Sequence, residues 1–143
     1  MHHVIISLAA NCNHEKNLSE ARRRLAQILS SFTFTHELWT EPIGTHRSDL
    51  YLNQLCQGHT ALSKSEIEQW LKATEQQMGR TSEERQQGIV RIDLDLLQYD
   101  DQRYHLRDWE RPYVANLLSF LKQRRMPPYT QAETPFIDSP CDR

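Results

Sequence analysis

Two aspartates two residues apart, Asp93 and Asp95, form the pattern of this chain that most clearly indicates chemistry. They lie in residues 88–97, where apolar and polar side chains alternate as they do in a β-strand. In a strand both carboxylates project from one face, with their Cα atoms about 6.6 to 7 Å apart. Neighbouring carboxylates repel each other unless a cation lies between them, and Mg²⁺ prefers such oxygen ligands together with phosphate oxygens. The pair therefore predicts a metal-assisted phosphoryl or nucleotidyl transfer, and an exposed polar strand face without chemistry is the alternative.

Other signals for phosphate binding are few. Arg91 falls on the same predicted strand face as the aspartates and can add a charge-assisted contact to phosphate. The chain has four glycines and contains no Walker phosphate loop, no Gly-x-Gly-x-x-Gly and no Gly-x-Ser-x-Gly nucleophile elbow. Three consecutive arginines at residues 22–24 are interpreted as a solvated helix face, with a nucleotide clamp as the alternative.

Composition limits the classes of function that the chain can have. With 143 residues it is long enough for one domain with a proper core, and a net charge of −2 creates no field that favours nucleic acid. No apolar run approaches the ~20 residues of a membrane span, and the N-terminus lacks the features of a signal peptide. The three cysteines lie far apart and the seven histidines are scattered, so we expect neither a zinc site nor a disulfide framework. We therefore expect a cytoplasmic monomer that binds neither nucleic acid nor a membrane.

The elements that would position the aspartates follow a β-α-β-β-α-β order. Strands are predicted at residues 4–8, 32–39, 51–60 and 88–97, and helices at about residues 13–31 and 63–79, the second opened by a capping box. This order is typical of the ferredoxin-like split βαβ sandwich, an α+β fold. Both helices would cover one face of the sheet. Because Ile92 and Leu94 would face that core, Asp93 and Asp95 are expected on the other, free face.

The C-terminal part is expected to extend this fold. Residues 103–106 are predicted to pair back as a hairpin strand, and Pro112 is predicted to start a third helix that ends near Arg125. Residues 127–143 hold four of the six prolines, which favours a poorly ordered tail. We therefore expect a single domain over residues 1–126, with a C-terminal hairpin and helix extension, followed by a tail at 127–143.

Five ordered segments between residues 4 and 106 resemble the 7,8-dihydro-6-hydroxymethylpterin pyrophosphokinases of folate biosynthesis. The longest is Ile-Asp-Leu-Asp-Leu-Leu-Gln-Tyr at residues 92–99, close to the family's Ile-Asp-Leu-Asp-Ile-Leu-x-Tyr. The other four are Leu-Ala-Ala-Asn at 8–11, Leu-Trp-Thr-Glu-Pro-Ile-Gly at 38–44, Tyr-Leu-Asn at 51–53, and Glu75 followed by Met-Gly-Arg at 78–80. Their shared order and spacing make the resemblance specific, and the family's fold is the ferredoxin-like one.

The resemblance implies the transfer of pyrophosphate from ATP to the hydroxymethyl group of 6-hydroxymethyl-7,8-dihydropterin, with release of AMP. It implies that Asp93 and Asp95 are the catalytic residues and hold two Mg²⁺ ions against the ATP phosphates. Tyr51 would pack on the pterin ring, and Asn53 would form hydrogen bonds with its aminopyrimidinone edge. The candidate residues for the reduced pterin are Thr40, Ile43, Tyr51, Asn53 and Asn11. For the nucleotide they are Glu75 and Arg80, which match the family motif, together with Arg85 and Arg91, which lie near positions where the family has arginines.

The sequence departs from the family pattern mainly on the nucleotide side. The arginine that precedes the aspartate strand in the family is one position later here, at Arg91. The family's second loop arginine, expected after Arg80, is replaced by Ser82, although Arg85 is nearby. The family's pterin-stacking phenylalanine has no secure equivalent, and Phe120 is the one local aromatic candidate. A divergent member that binds pterin or nucleotide with little or no catalysis is therefore the alternative. A related transferase acting on another alcohol and an interaction module built on the C-terminal helix and tail remain further alternatives.

Overall fold

A computed structural model gives the fold of the chain and describes residues 1–41, 50–79 and 81–122, with the backbone alone at Arg85. Some of the predictions made above fall outside the described residues. They concern Ile43, Arg80, the side chain of Arg85, the end of the third helix near Arg125 and the tail at 127–143. They stay predictions.

The described residues form one antiparallel sheet and five helices. The strands are β1 (His2–Ala10), β2 (Ser30–Phe34), β3 (Leu38–Thr40), β4 (Tyr51–Thr60), β5 (Asp93–Tyr99) and β6 (Gln102–Arg103). The helices are α1 (His14–Leu25), α2 (Lys64–Gln77), α3 (Ser82–Gln86), α4 (Leu106–Trp109) and α5 (Pro112–Lys122). The strand order is β2-β4-β1-β5-β6, and β3 also pairs with β4. The predicted ferredoxin-like α+β fold is confirmed, with the second predicted strand divided into β2 and β3.

Strand β1 separates a helix-side core from the opposite face of the sheet. Its residues Val4, Ile6 and Leu8 are fully buried on the face that α1 and α2 cover. Leu18 of α1 and Ile67 of α2 are fully buried in the same cluster. Burying one such side chain contributes about 1.5–3 kcal/mol. This helix-side core is the larger of the two buried clusters, and it therefore supplies most of the apolar stabilisation of the sheet.

The opposite face of the sheet is only partly open. Ile5, Leu55 and Leu97 are buried there against Val114 and Leu117 of α5. The expectation of an entirely free face is therefore wrong, because the apolar stripe of α5 needs a partner and takes part of that face. The part of the face that α5 leaves open holds the two aspartates.

Strand β5 begins at Asp93, later than the alternation predicted. Its register with β1 shifts between Ile5 and Ile6, so that Leu97 is the extra residue of a β-bulge. A bulge interrupts the alternation of faces along a strand. Leu97 keeps the alternation set by Asp93 and Asp95 and packs in the cluster under α5, whereas the bulge turns Tyr99 toward the helix-side core. Without the bulge, Tyr99 would follow Asp93 onto the open face.

Helix α2 begins with the predicted capping box. Ser63 Oγ accepts a hydrogen bond from the Glu66 N–H at 3.2 Å, and Glu66 Oε1 accepts one from the Ser63 N–H at 2.9 Å. The bond from the Ser63 backbone lowers the pKa of the Glu66 carboxyl.

We expect Ser63→Ala to destabilise the protein by about 1 kcal/mol, measured by urea unfolding. Ser65→Ala is the control, because Ser65 is exposed in the first turn of α2. An equal loss of stability there would contradict the capping role of Ser63.

Two features bear on the expectations drawn from composition. Cys12 is disulfide-bonded, whereas Cys56 is a buried free thiol whose pKa is raised by burial. The sequence does not predict the disulfide at Cys12, because separation along the sequence does not report which thiols approach in space. Within residues 1–41, 50–79 and 81–122, no helix has both the length and the apolar composition that crossing a membrane requires.

Candidate active site

The two aspartates lie in successive rows of side chains that run across the sheet. Asp93 is opposite Ala9 on β1, and Ala9 is opposite Asn53 on β4. Asp95 is opposite Ser7 in the next row. Paired residues share a face of the sheet, so the carboxylates and Asn53 project to the same side. Because Ser7 and Ala9 are small, they leave room above the sheet between these groups.

A cleft of about 290 Å³, called here the sheet cleft, lies over this part of the sheet. The residues predicted from sequence that line it are Thr40, Tyr51, Asn53, Asp93 and Asp95. Its other lining residues are Ser7, Leu8, Ala9, Glu41, Asp108, Arg111 and Tyr113. Pockets for small molecules measure about 300–1,000 Å³, so the sheet cleft suits a small ring system better than a whole nucleotide.

The Asn53 side chain is held in one orientation in the sheet cleft. It is buried, and its Nδ2 donates to Thr40 Oγ1 at 2.7 Å and to Leu38 O at 3.1 Å. Leu38 is opposite Asn53, and Thr40 is opposite Tyr51, so the pairing of β3 with β4 fixes both acceptors. This network assigns the amide orientation. It leaves Oδ1 as the amide atom that can accept a hydrogen bond from a ligand.

A second cleft of about 530 Å³, called here the α2 cleft, is bordered by α2, β5 and residues 104–105. It shares Asp93 and Asp95 with the sheet cleft. Its other lining residues are Lys64, Glu68, Leu71, Lys72, Glu75, Leu94, Leu96, Tyr104 and His105. Two lysines beside apolar side chains suit a ligand that has both phosphate groups and an aromatic base. A group held by the two carboxylates would contact ligands in both clefts.

Glu75, predicted to lie on the nucleotide side, is buried and lines the α2 cleft. Its Oε2 accepts a hydrogen bond from the backbone N–H of Leu94 at 2.8 Å. Such a charge-assisted hydrogen bond is stronger than one between neutral groups. Leu94 separates the two aspartates along β5, so Glu75 ties α2 to the strand at the point where the carboxylates project.

Residues 105–113, called here the α4 segment, bring to the carboxylates four side chains that the sequence analysis did not identify. They are His105, Asp108, Arg111 and Tyr113. His105 Nε2 is 3.8 Å from Asp95 Oδ1, and Arg111 Nε is 3.1 Å from Asp108 Oδ1. His105 and Arg111 flank the single turn of α4, which is too short to be recognised from helical periodicity, so the sequence carries no local signal for them.

Tyr113, rather than Phe120, is the C-terminal aromatic residue that lines the sheet cleft. The Phe120 ring instead packs edge-on against His36, with the ring centroids 4.2 Å apart. Burial raises the pKa of Tyr113 to about 12, and the charge of Asp108 acts in the same direction. The Tyr113 hydroxyl therefore stays protonated near neutral pH and can donate a hydrogen bond.

The carboxylates of the site have the chemistry of a cation site. Asp95, His105 and Asp108 each offer a ligand atom, and these atoms lie within 4.8 Å of one another. Asp93 adds a second carboxylate on the same face of β5 as Asp95. Mg²⁺ is commonly bound by one or two carboxylates together with phosphate oxygens and water. The donors on β5 therefore fit the predicted Mg²⁺ at Asp93 and Asp95.

Asn11, assigned above to the pterin, does not line either cleft. It is buried just after β1, where its Nδ2 donates to Gly88 O at 2.7 Å and its Oδ1 accepts from the Val90 N–H at 2.7 Å. The Asn11 N–H also donates to Val90 O at 2.9 Å. The side chain thus holds the segment that leads into β5, because both of its polar atoms bond to backbone there.

Arg91, assigned above to the nucleotide, also lies away from the two clefts. Its guanidinium contacts the Glu84 carboxylate through Nε at 3.0 Å and Nη2 at 2.7 Å. This contact raises the pKa of Arg91, so the cation is held on α3. Arg91 lines a third cleft of about 470 Å³ together with Lys16 and Arg24. The structure therefore does not bring Arg91 to the face that carries the aspartates.

Comparisons with known proteins identify the family of the chain. The family model described as 7,8-dihydro-6-hydroxymethylpterin-pyrophosphokinase (HPPK) matches residues 5–125. A curated relative, the Folate synthesis bifunctional protein of Arabidopsis thaliana, is 33% identical over 121 residues, which cover 78% of this chain. The match covers 25% of that relative, so this chain spans much less than the relative's full length. The chain belongs to the 7,8-dihydro-6-hydroxymethylpterin-pyrophosphokinase family.

Proposed function

We propose that this protein transfers pyrophosphate from ATP to the hydroxymethyl group of 6-hydroxymethyl-7,8-dihydropterin and releases AMP. The observation that carries the proposal is that the sheet cleft and the α2 cleft share Asp93 and Asp95. A ligand in each cleft would then present its reacting group to the same carboxylates. Membership of the pyrophosphokinase family supports the same reaction. Positioning and charge stabilisation are the main contributions that a protein makes to such transfers.

The reduced pterin is proposed to occupy the sheet cleft. Tyr51 and Tyr113 both line this cleft and can pack on a flat ring, since aromatic stacking favours such contacts. Asn53 Oδ1 can accept a hydrogen bond from an N–H of the pterin, while its Nδ2 remains bonded to Thr40 and Leu38. The ring would then be held with its hydroxymethyl group toward the carboxylates.

ATP is proposed to occupy the α2 cleft, which is the larger of the two. Lys72 and His105 can supply polar groups for the phosphates, and the half-buried Tyr104 can supply an aromatic surface for the base. Arg111 lies on the other side of the carboxylates, in the sheet cleft, where it can contact the transferred pyrophosphate. These groups would supply part of the phosphate contacts expected of Arg91, because the Arg91 guanidinium is bonded to Glu84.

Asp93 and Asp95 are proposed to hold two Mg²⁺ ions against the phosphates. When bound, Mg²⁺ neutralises phosphate charge and aligns the attacking and leaving oxygens. Asp95 also lines the sheet cleft, so it can orient the pterin hydroxyl there. The hydroxymethyl oxygen would release its proton to solvent and bond to the β-phosphorus as the bond between that phosphorus and the AMP oxygen breaks.

The direct test measures AMP with ATP, Mg²⁺ and 6-hydroxymethyl-7,8-dihydropterin together. We expect AMP only when all three are present, and none above background when the pterin is omitted or the metal is removed with EDTA. Formation of ADP in place of AMP would indicate a different phosphoryl transfer. The absence of AMP at high concentrations of ATP and pterin would contradict the proposal.

A second candidate function is binding of pterin or nucleotide with little or no catalysis. The engagement of Arg91 with Glu84, away from both clefts, favours it, because a charge-assisted phosphate contact contributes on the order of 1.5–3 kcal/mol. Calorimetry separates the two candidates. Pterin binding without turnover would support the second candidate, and turnover at ordinary enzymatic rates would exclude it.

Replacing Tyr113 by leucine tests its proposed contact with the pterin. We expect Tyr113→Leu to raise the KM for the pterin about three- to tenfold, because an aromatic pair contributes about 0.5–1.5 kcal/mol beyond burial. Tyr113→Phe keeps the ring and should keep a KM close to that of the wild type. Steady-state kinetics with varied pterin gives both values, and an unchanged KM in Tyr113→Leu would place the pterin elsewhere.

A further inference from the structure

We infer that Trp109 is the positioning residue of the candidate active site, because its indole ties the α4 segment to β5 and so holds His105 and Arg111 beside the aspartates. The inference rests on the proposed function. It assigns Trp109 no contact with substrate. Its role would be exerted through the residues that it holds in place.

The indole of Trp109 is bonded to two backbone carbonyls. Its Nε1 donates to Leu97 O at 3.2 Å and to Tyr104 O at 3.0 Å. Leu97 O also accepts a hydrogen bond from the Tyr104 N–H at 2.9 Å. Leu97 belongs to β5, and Tyr104 immediately precedes the α4 segment. The indole therefore links β5, the strand that carries the aspartates, to the residue immediately before the α4 segment.

The anchoring point on β5 is the bulge residue. Leu97 is the residue that the β1–β5 register leaves without a partner on β1, and it follows Asp95 by two positions. Bulges are common next to active sites, where they redirect side chains. Because Asp95 and Leu97 belong to one short stretch of strand, a group bonded to the Leu97 carbonyl is set at a fixed distance from the carboxylates.

The α4 helix is short and lies near the surface. It is a helix of four residues, none of them buried, and Leu106 is 66% exposed. A single helical turn is not stable without tertiary contacts. The ion pair between Asp108 and Arg111 lies inside the segment and cannot fix it to the sheet. The Trp109 ring packs against the cluster under α5, and the Arg103 guanidinium lies 4.0 Å from its centre.

Trp109→Phe tests the inference, because it keeps an aromatic ring and removes the Nε1–H. We expect the KM for ATP and the KM for the pterin to rise three- to tenfold, while the folded fraction and the thermal midpoint stay close to those of the wild type. A merely structural role would lower the active fraction, and thus kcat, without changing either KM. Trp70→Phe is the matched control, since Trp70 packs against the helix-side core, and it should leave both KM values unchanged.

Amide hydrogen exchange gives a second readout that does not require an active enzyme. Exchange over residues 105–113 should become at least tenfold faster in Trp109→Phe and stay unchanged in Trp70→Phe. If the wild type forms no AMP, the proposed function fails and the exchange measurement alone decides the inference. Unchanged KM values in an active enzyme overturn the inference, as does unchanged exchange over 105–113 in an inactive protein.

Discussion

Asp95→Asn is expected to lower kcat for AMP formation by about 10³-fold or more. The substitution keeps the shape of the side chain and removes its charge, so a cation at Asp93 and Asp95 loses one of its two carboxylate ligands on β5. Metal ions contribute several kcal/mol of charge stabilisation to such transition states, and each 1.36 kcal/mol corresponds to a factor of ten in rate. The measurement is AMP release at saturating ATP, pterin and Mg²⁺.

The folded state should tolerate this change. Asp93 and Asp95 share one face of β5, and like charges there oppose each other in the absence of a cation. We therefore expect a thermal midpoint, measured without Mg²⁺, that is equal to that of the wild type or higher. Asp101→Asn, an exposed carboxylate in the turn after β5, is the control and should keep full activity. Wild-type activity in Asp95→Asn would remove the metal centre from the proposed mechanism.

Asn11→Ala is expected to destabilise the protein by about 2–4 kcal/mol. The side chain satisfies the carbonyl of Gly88 and the N–H of Val90, and it is buried. Leaving a buried polar group without a partner costs about 1–3 kcal/mol, and the substitution leaves both the Gly88 carbonyl and the Val90 N–H without this partner. Urea unfolding measures the loss as a lower midpoint, provided that the slope of the transition is unchanged.

The control for this prediction is an asparagine without such bonds to the core of the fold. Asn116 lies exposed on α5, so Asn116→Ala should change the free energy of unfolding by no more than about 0.5 kcal/mol. A loss in Asn11→Ala as small as that of the control would show that solvent replaces both hydrogen bonds. It would also remove Asn11 as the tie between β1 and the segment before β5.

The parts of the fold and the candidate site that depend on local geometry are predictable from sequence. Alternation along β1 predicts its buried face, because successive side chains of a strand point to opposite sides. The same rule places Asp93 and Asp95 together, and likewise Tyr51 and Asn53 on β4. The structure brings all four to one cleft. Their roles toward substrates remain predictions.

The features that local rules miss depend on contacts between distant residues. Asn11 bonds to backbone groups 77 and 79 residues away, and nothing in its neighbourhood in the sequence indicates this use. The bulge at Leu97 is one extra residue in an apolar run, where a shift of register leaves the composition unchanged. Helix α4 is a single turn, shorter than the window over which helical periodicity can be recognised, and so His105 and Arg111 were missed.

Strand β1 places most of its buried apolar side chains on one face and borders the candidate site with the other. Val4, Ile6 and Leu8 serve the helix-side core, while Ser7 and Ala9 lie under the sheet cleft. Substitutions on the open face therefore spare most of the buried apolar area. A lineage can in this way alter its ligand or its turnover in small steps, each of which still yields a folded protein.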